Sequence, residues 1–199
     1  RLGNNTNRVA DLIRGKDNWD QNFNLMGNMY VDIKILSGLN FRSNFGGGFG
    51  TGYGQSFGFK TPENAEPTNN TTFNEYANWG ANWIWTNQLT FDKTFGDHKV
   101  TAVAGYEAIK TGMGRSLSGQ RGNYFSTDIS YRTMSNGASI NSLSGSLYTP
   151  VALVSIIGKV DYGFRNRYLF SATVRRDGSS KFGPDTRFGI FPAFSAAWR

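Results

Sequence analysis

Residues 167–199, RYLFSATVRRDGSSKFGPDTRFGIFPAFSAAWR, limit what this chain can fold into more than any other stretch. They read as strand, tight polar loop, strand. In the first strand Tyr168, Phe170, Ala172 and Val174 share one face, opposite Arg167, Ser171, Thr173 and Arg175. In the second, Phe188, Ile190, Phe194, Ala196 and Trp198 lie opposite Arg187, Gly189, Ser195 and Arg199. Successive side chains of a strand point to opposite faces, so a period of two sorts apolar from polar across the sheet. Apolar rows that end in aromatics are what a membrane-spanning β-hairpin requires.

The same period recurs along the chain. Leu25, Gly27, Met29, Val31, Ile33 and Ile35 alternate with Asn28, Tyr30, Asp32 and Lys34. Leu39, Phe41, Phe45 and Phe49 oppose Asn40, Arg42 and Asn44, and run into a glycine-rich end at Gly46–Gly54. Trp83, Trp85, Leu89 and Phe91 oppose Asn82, Thr86, Gln88, Thr90 and Asp92. Val100, Ala102, Ala104, Tyr106 and Ala108 oppose Thr101, Gly105 and Glu107; Val154, Ile156, Val160, Tyr162 and Phe164 oppose Ser155, Lys159 and Asp161. Residues 1–22, 55–75 and 114–149 have no such pattern and read as loops.

The pattern predicts an all-β chain: about seven antiparallel strands of a larger transmembrane barrel. Connections at 36–38, 94–97 and 165–166 are short; those at 54–76, 112–150 and 177–186 are long. Outer-membrane barrels keep short turns on the periplasmic side and long loops outside. In hydrocarbon every backbone polar group must be paired, so such a sheet must close. An odd strand count then places further strands outside this chain. The chain also starts at Arg1 and stops at Arg199 within a strand, so an internal piece of a longer protein is expected.

Composition removes other classes. The longest apolar run, Val151–Val154, is far too short for a membrane helix. Mean hydropathy is −0.45, which alone would suggest a soluble protein. A barrel escapes that test because alternate residues face its lumen. There is no cysteine, hence no disulfide and no thiolate metal site. The net charge of +7 is not gathered into a basic run or a recognition helix, so no nucleic-acid partner is expected.

The tempting sites dissolve on inspection. Gly46–Gly54 lacks the helix start that a phosphate-binding glycine loop needs, and reads as a flexible rim. Asn69-Asn70-Thr71-Thr72 holds glycosylation sequons, which matter only in a eukaryotic secretory context. His98, the single histidine, stands beside Asp97 and reads as a solvated turn residue. Glu107, Asp161, Asp177 and Asp185 have no catalytic spacing, and Ser179-Ser180-Lys181 has no orienting third group. No catalytic, cofactor or metal site is read, substrate contacts stay unassigned, and the chain is not read as an enzyme. Tyr162, Phe164, Tyr168 and Phe170 around the Arg165-Asn166 turn read as a periplasmic aromatic girdle. Lys159, Arg165 and Arg167 nearby face either lumen or periplasm.

From Ser171 to Pro184 (SATVRRDGSSKFGP) and from Arg187 to Trp198 (RFGIFPAFSAAW) the chain resembles the SusC/RagA family of TonB-dependent outer-membrane transporters. Weaker likeness runs through Leu89–His98, Ala104–Glu107 and Gly158–Tyr162; the first 75 residues fit more loosely. The resemblance implies a barrel of roughly 22 strands with an N-terminal plug. It implies import of oligosaccharides or peptides across the outer membrane of a Gram-negative, Bacteroidetes-type bacterium. The implied partners are the TonB complex, reached through regions outside this chain, a SusD-like surface lipoprotein, and outer-membrane lipid. No cofactor is implied. Residues 1–199 are then part of one barrel domain, with plug and signal peptide expected elsewhere. The competing readings are a passive porin or adhesin barrel and a soluble β-sheet binding module.

Overall fold

The computed structural model describes residues 6–199. One helix, α1 (Arg8–Gly15), precedes eight strands: β1 (Trp19–Leu36), β2 (Leu39–Gly58), β3 (Thr72–Phe95), β4 (His98–Gly122), β5 (Ser139–Leu147), β6 (Val151–Phe164), β7 (Tyr168–Ser179) and β8 (Phe188–Trp198). The strands form one sheet in the order β1-β2-β3-β4-β6-β7-β8, with β5 paired to β4 off this path. The pairings from β4 onward are antiparallel.

Four expectations need correction. Residues 1–22 are not all loop: α1 is capped by Asn7, whose Oδ1 accepts from the amide of Ala10 at 3.2 Å, and β1 already starts at Trp19. The part of that loop expectation that falls on residues 1–5 lies outside the described residues. Residues 55–58 and 72–75 belong to β2 and β3. The 114–149 connection continues β4 and holds β5, giving eight strands rather than about seven. β5 was hidden because SINSLSGSL alternates serine with scattered leucines, too weak an apolar period to read as strand. β4 changes partner from β6 to β5 between Thr111 and Arg115, where Gly112 has φ +69°, a conformation glycine adopts without strain.

The fourth correction concerns Gly46–Gly54, which lies within β2 and is no loose rim. A Cβ on Gly47 would sit 2.7 Å from the carbonyl oxygen of Asn82. One on Gly52 would sit 2.7 Å from Asn22 Oδ1. The glycines are present because neighbouring strands lay backbone and amide side chains over β2.

Two compact units divide the chain. The first takes the residues up to Asn24, Gly50–Gly80 and Gly114–Tyr148. Its core is Phe57, Phe73 and Tyr124, with Phe59 and Met134 against them. Ring centroids lie 5.4 Å apart for Phe57–Tyr124 and 6.2 Å for Phe73–Tyr124. Thr71, 2% exposed, anchors this core: its carbonyl accepts from the Asn123 amide at 3.0 Å and its Oγ1 from the Tyr124 amide at 2.8 Å. The sequon threonine is therefore a structural residue. Arg132 spreads over the rings of Phe57 and Phe59 and pairs with Asp17 at 3.1 Å.

The second unit takes Leu25–Phe49, Ala81–Met113 and Thr149–Arg199. It contains all three short turns, at residues 37–38, 96–97 and 165–167. At the last, Arg165 and Asn166 both have positive φ, +53° and +54°, the geometry whose twist suits a tight hairpin. The turns at 96–97 and 165–167 are joined: the Arg165 amide donates to the Asp97 carbonyl at 2.8 Å and Arg165 Nε pairs with Asp97 Oδ2 at 2.8 Å.

Candidate functional site: the two faces of the sheet

Within the second unit the register turns the sequence alternation into rows. From the Arg165-Asn166 turn, Phe164 pairs with Tyr168, and the pairing runs unbroken to Leu153–Ser179. His98, Phe164, Tyr168 and Trp198 form one row across β4, β6, β7 and β8. The next rows on that face are Val100–Tyr162–Phe170–Ala196, Ala102–Val160–Ala172–Phe194 and Ala104–Gly158–Val174–Pro192. This apolar face is open: Phe194 is 78% exposed, and Phe170, Ile156 and Ile190 are exposed too. A contiguous exposed apolar sheet of this extent marks a surface that is covered in use.

The row nearest the turns is aromatic, as the girdle reading expects. Phe164 stacks on Tyr168 at 6.5 Å and Tyr162 on Phe170 at 6.4 Å. His98 is more than a solvated turn residue: its Nδ1 lies 2.7 Å from the Tyr162 hydroxyl, and its ring 5.1 Å from that of Phe164. Arg167 lies over the rings of Tyr168 and Trp198, while Arg165 lies over Phe164.

The opposite face is polar and paired. Lys159 Nζ meets Asp161 Oδ2 at 2.9 Å, which places Lys159 on this face and not at the turn. Glu107, Ser155, Asp177 and Gly189 form one row. Arg175 Nε binds both carboxylate oxygens of Asp177, at 2.7 and 2.8 Å. Its Nη2 donates to the buried Ser155 hydroxyl at 3.2 Å and stands 4.0 Å from Glu107. Of the four carboxylates that looked scattered, three share this face, each with a cation at hand. Asp185 does not join them; it sits in a 3-10 turn, Pro184–Thr186. Arg175 and Asp177 thus neutralise each other on this face. Among the described residues no group of three potential ligands is arranged for a metal.

The Arg-Arg-Asp-Gly-Ser-Ser segment serves both faces at once. Arg175 and Asp177 build the polar network. Arg176 points the other way, its guanidinium 4.0 Å from the centroid of Phe188. That ring lies over Gly178, where a Cβ would run into it. Ser180 closes the end: its amide donates to the Ala152 carbonyl at 2.9 Å and its hydroxyl accepts from the Ala152 amide at 2.9 Å. The serine of the supposed Ser-Lys pair is thus spent on backbone. Sequence reading missed Ser155 and the Arg176–Phe188 contact. Counting outward from the 165–166 turn would have found the first, since it sets 155 opposite 177.

No protein-family model matches the chain. It is 34% identical over 124 residues to TonB-dependent receptor P3 of Formosa agariphila, covering 62% of this chain and 12% of that protein. Over 174 residues it is 29% identical to TonB-dependent receptor P39 of the same organism, covering 85% of this chain and 16% of the relative. Over 47 residues it is 49% identical to TonB-dependent receptor SusC of Bacteroides thetaiotaomicron, 24% of this chain and 5% of SusC. In fold it superposes on the RagAB peptide transporter with a TM-score of 0.79 at 20% identity, covering 91% of this chain and 20% of that one. In sequence the chain is similar to TonB-dependent receptors that include SusC, and in fold to RagAB. It spans between about a twentieth and a sixth of the lengths of these relatives. Its antiparallel rows are barrel-wall rows of that fold, and the relatives are named as receptors, not enzymes.

Proposed function

We propose that this chain is a stretch of outer-membrane barrel wall in a receptor that imports oligosaccharides or peptides at the expense of TonB-delivered energy. The apolar face of the second unit lies against lipid. The turns at 37–38, 96–97 and 165–167 lie at the periplasmic side, and the polar face of Glu107, Asp161 and Asp177 lines the lumen. A SusD-like lipoprotein caps the full receptor from outside, and no catalytic role is assigned. The observation that carries the reading is the exposed, in-register apolar face closed by the His98–Phe164–Tyr168–Trp198 row. Aromatic rings at the headgroup level and aliphatic rows between them are the requirement of a membrane wall.

The test uses the full-length gene in its own bacterium. Deleting the receptor and deleting TonB should abolish uptake of the same glycan or peptide, and tagged receptor should co-purify a surface lipoprotein. Uptake that survives loss of TonB would identify a passive barrel and overturn the proposal.

A further inference from the structure

We infer that Arg176 and Lys110 form a phosphate clamp that holds the headgroup of an anionic outer-leaflet lipid against the second unit. The inference rests on the lipid-facing reading proposed above. On the apolar face of β4, β6, β7 and β8, the rows between His98–Phe164–Tyr168–Trp198 and Tyr106–Ile156–Arg176–Ile190 carry no charge. Arg176 and Lys110, the latter opposite Ala152, bring charge to the far end of that face, and both are cations. The carboxylates of these strands, Glu107, Asp161 and Asp177, lie on the polar face. Among the described residues neither cation makes an ion pair. Phe188 covers one side of the Arg176 guanidinium, but a ring accepts no in-plane hydrogen bond, and the five N–H donors have no acceptor among the described residues. At the edge of hydrocarbon such donors require a partner. A phosphate supplies it, because its oxygens match the guanidinium fork two at a time and accept from an ammonium as well.

The register sets both charges at one level. Arg176 stands eight positions beyond Tyr168, about 27 Å along the strand and about 21 Å above the aromatic row at a tilt of about 40°. Its guanidinium is lifted further, because the Phe188 ring on which it rests belongs to the row of Gly178, about 26 Å above. Lys110, twelve positions beyond His98, stands about 31 Å above the same row. The apolar band is about 25 Å tall, and the headgroup layer adds about 5–8 Å on each side. Both residues therefore deliver their charge to the outer headgroup layer. Ile156 and Ile190, exposed in the row of Arg176, offer an acyl chain its surface just below the clamp.

The experiment titrates the full-length receptor in detergent with fluorescent lipid A, with the same lipid stripped of its phosphates, and with inorganic phosphate as competitor. The wild type should bind the phosphorylated lipid at least about tenfold more tightly than the stripped one. Arg176→Gln/Lys110→Gln should lose that preference while folding into liposomes like the wild type. Arg187→Gln, which removes a cation from the polar face at the same end, should keep it. A fluorophore on Val174→Cys, in receptor stripped of other cysteines and placed in liposomes, should be quenched by acyl-chain spin labels. With the Val174 label in lipid, equal binding of the two lipids by the wild type, or a preference that survives the double variant, overturns this inference alone. A Val174 label in water overturns the wall reading as well. Full displacement of the lipid by inorganic phosphate assigns the cations to a free anion and also overturns the clamp.

Discussion

A positive charge at position 174 tests the wall most directly, because its depth follows from the register. Val174 stands six positions beyond Tyr168 in β7. At about 3.4 Å per residue this is about 20 Å along the strand. With a tilt of about 40°, it lies about 15 Å from the aromatic row, close to the middle of an apolar band about 25 Å tall. Arginine on the lipid face near the midplane costs about 2–4 kcal/mol, falling to about 0–1 near the interfaces. Val174→Arg should therefore lower the folding equilibrium constant by roughly 30- to 1,000-fold, at about 1.4 kcal/mol per tenfold. Thr173→Arg, one residue away on the polar face, should change it far less. Phe170→Arg, only about 5 Å deep by the same reckoning, should fall between. The native Arg176 obeys this gradient: about 21 Å from the aromatic row it lies at the far edge of the band, with its charge resting on Phe188. The assay is urea-dependent folding of the full receptor into liposomes, followed by heat-modifiable gel mobility. Equal penalties at 173 and 174, or a larger one at 170 than at 174, would refute the assignment of faces and of depth.

Three further outcomes follow from named contacts. Gly178→Ala should destabilise the hairpin by roughly 1–3 kcal/mol in the same titration, because the new methyl group meets the Phe188 ring, and Phe188→Ala should relieve it in the double mutant; additive losses would show that the ring does not hold Gly178. Phe73→Ala should expose the 123–138 connection to limited proteolysis, since truncating a fully buried phenylalanine costs about 3–5 kcal/mol and Tyr124 packs on it. Arg14 holds the Glu63 carboxyl below the usual carboxylate range through their hydrogen bond. That pair therefore anchors α1 fully above the ordinary carboxylate range and is lost as pH falls through the lowered value. Deuterium exchange of α1 should be faster in Glu63→Gln than in the wild type at neutral pH, with the difference vanishing in acid; a difference that persists in acid would mean that the ion pair is not what holds the helix.

The hairpins are legible in sequence because lipid and lumen impose opposite polarities on adjacent residues, so β6, β7 and β8 carry their faces in their spelling. Their turns are legible for a related reason, since a two-residue connection leaves one register. What escapes notice is built on backbone rather than contrast. β5 offers serine at four of its nine positions and is a strand only because Arg115–Gly122 presents unpaired backbone to it. Gly46–Gly54 has the composition of a loop, and its reason for being strand lies in Asn22 and Asn82, on other strands. α1 is too short to show a period within a polar context; Asn7 as cap and the 9-12-13 stripe were its signals. Of the polar network, Arg175 stands two residues from Asp177 on the same strand, β7, but Ser155 escapes notice because it meets Asp177 from β6.

The segment Arg175-Arg176-Asp177-Gly178 shows why such a motif can name a family and stay silent about cargo. Each of its residues answers a demand of the wall. Arg175 and Asp177 neutralise each other on the polar face, where Ser155 is too buried to leave either charge unpaired. Arg176 must point to the apolar face because alternation allows nothing else, and Phe188 gives its charge a surface to lie on. Phe188 can lie flat only over a residue without a side chain, which makes position 178 glycine. These demands come from the membrane and from neighbouring strands and would be the same for any imported molecule. On the function proposed above, residues that discriminate cargo would be free of these demands. A substitution that alters cargo choice should therefore fall on polar-face positions outside this network, such as Thr101 or Ser195, and swaps there should change uptake selectivity while leaving folding in liposomes unchanged.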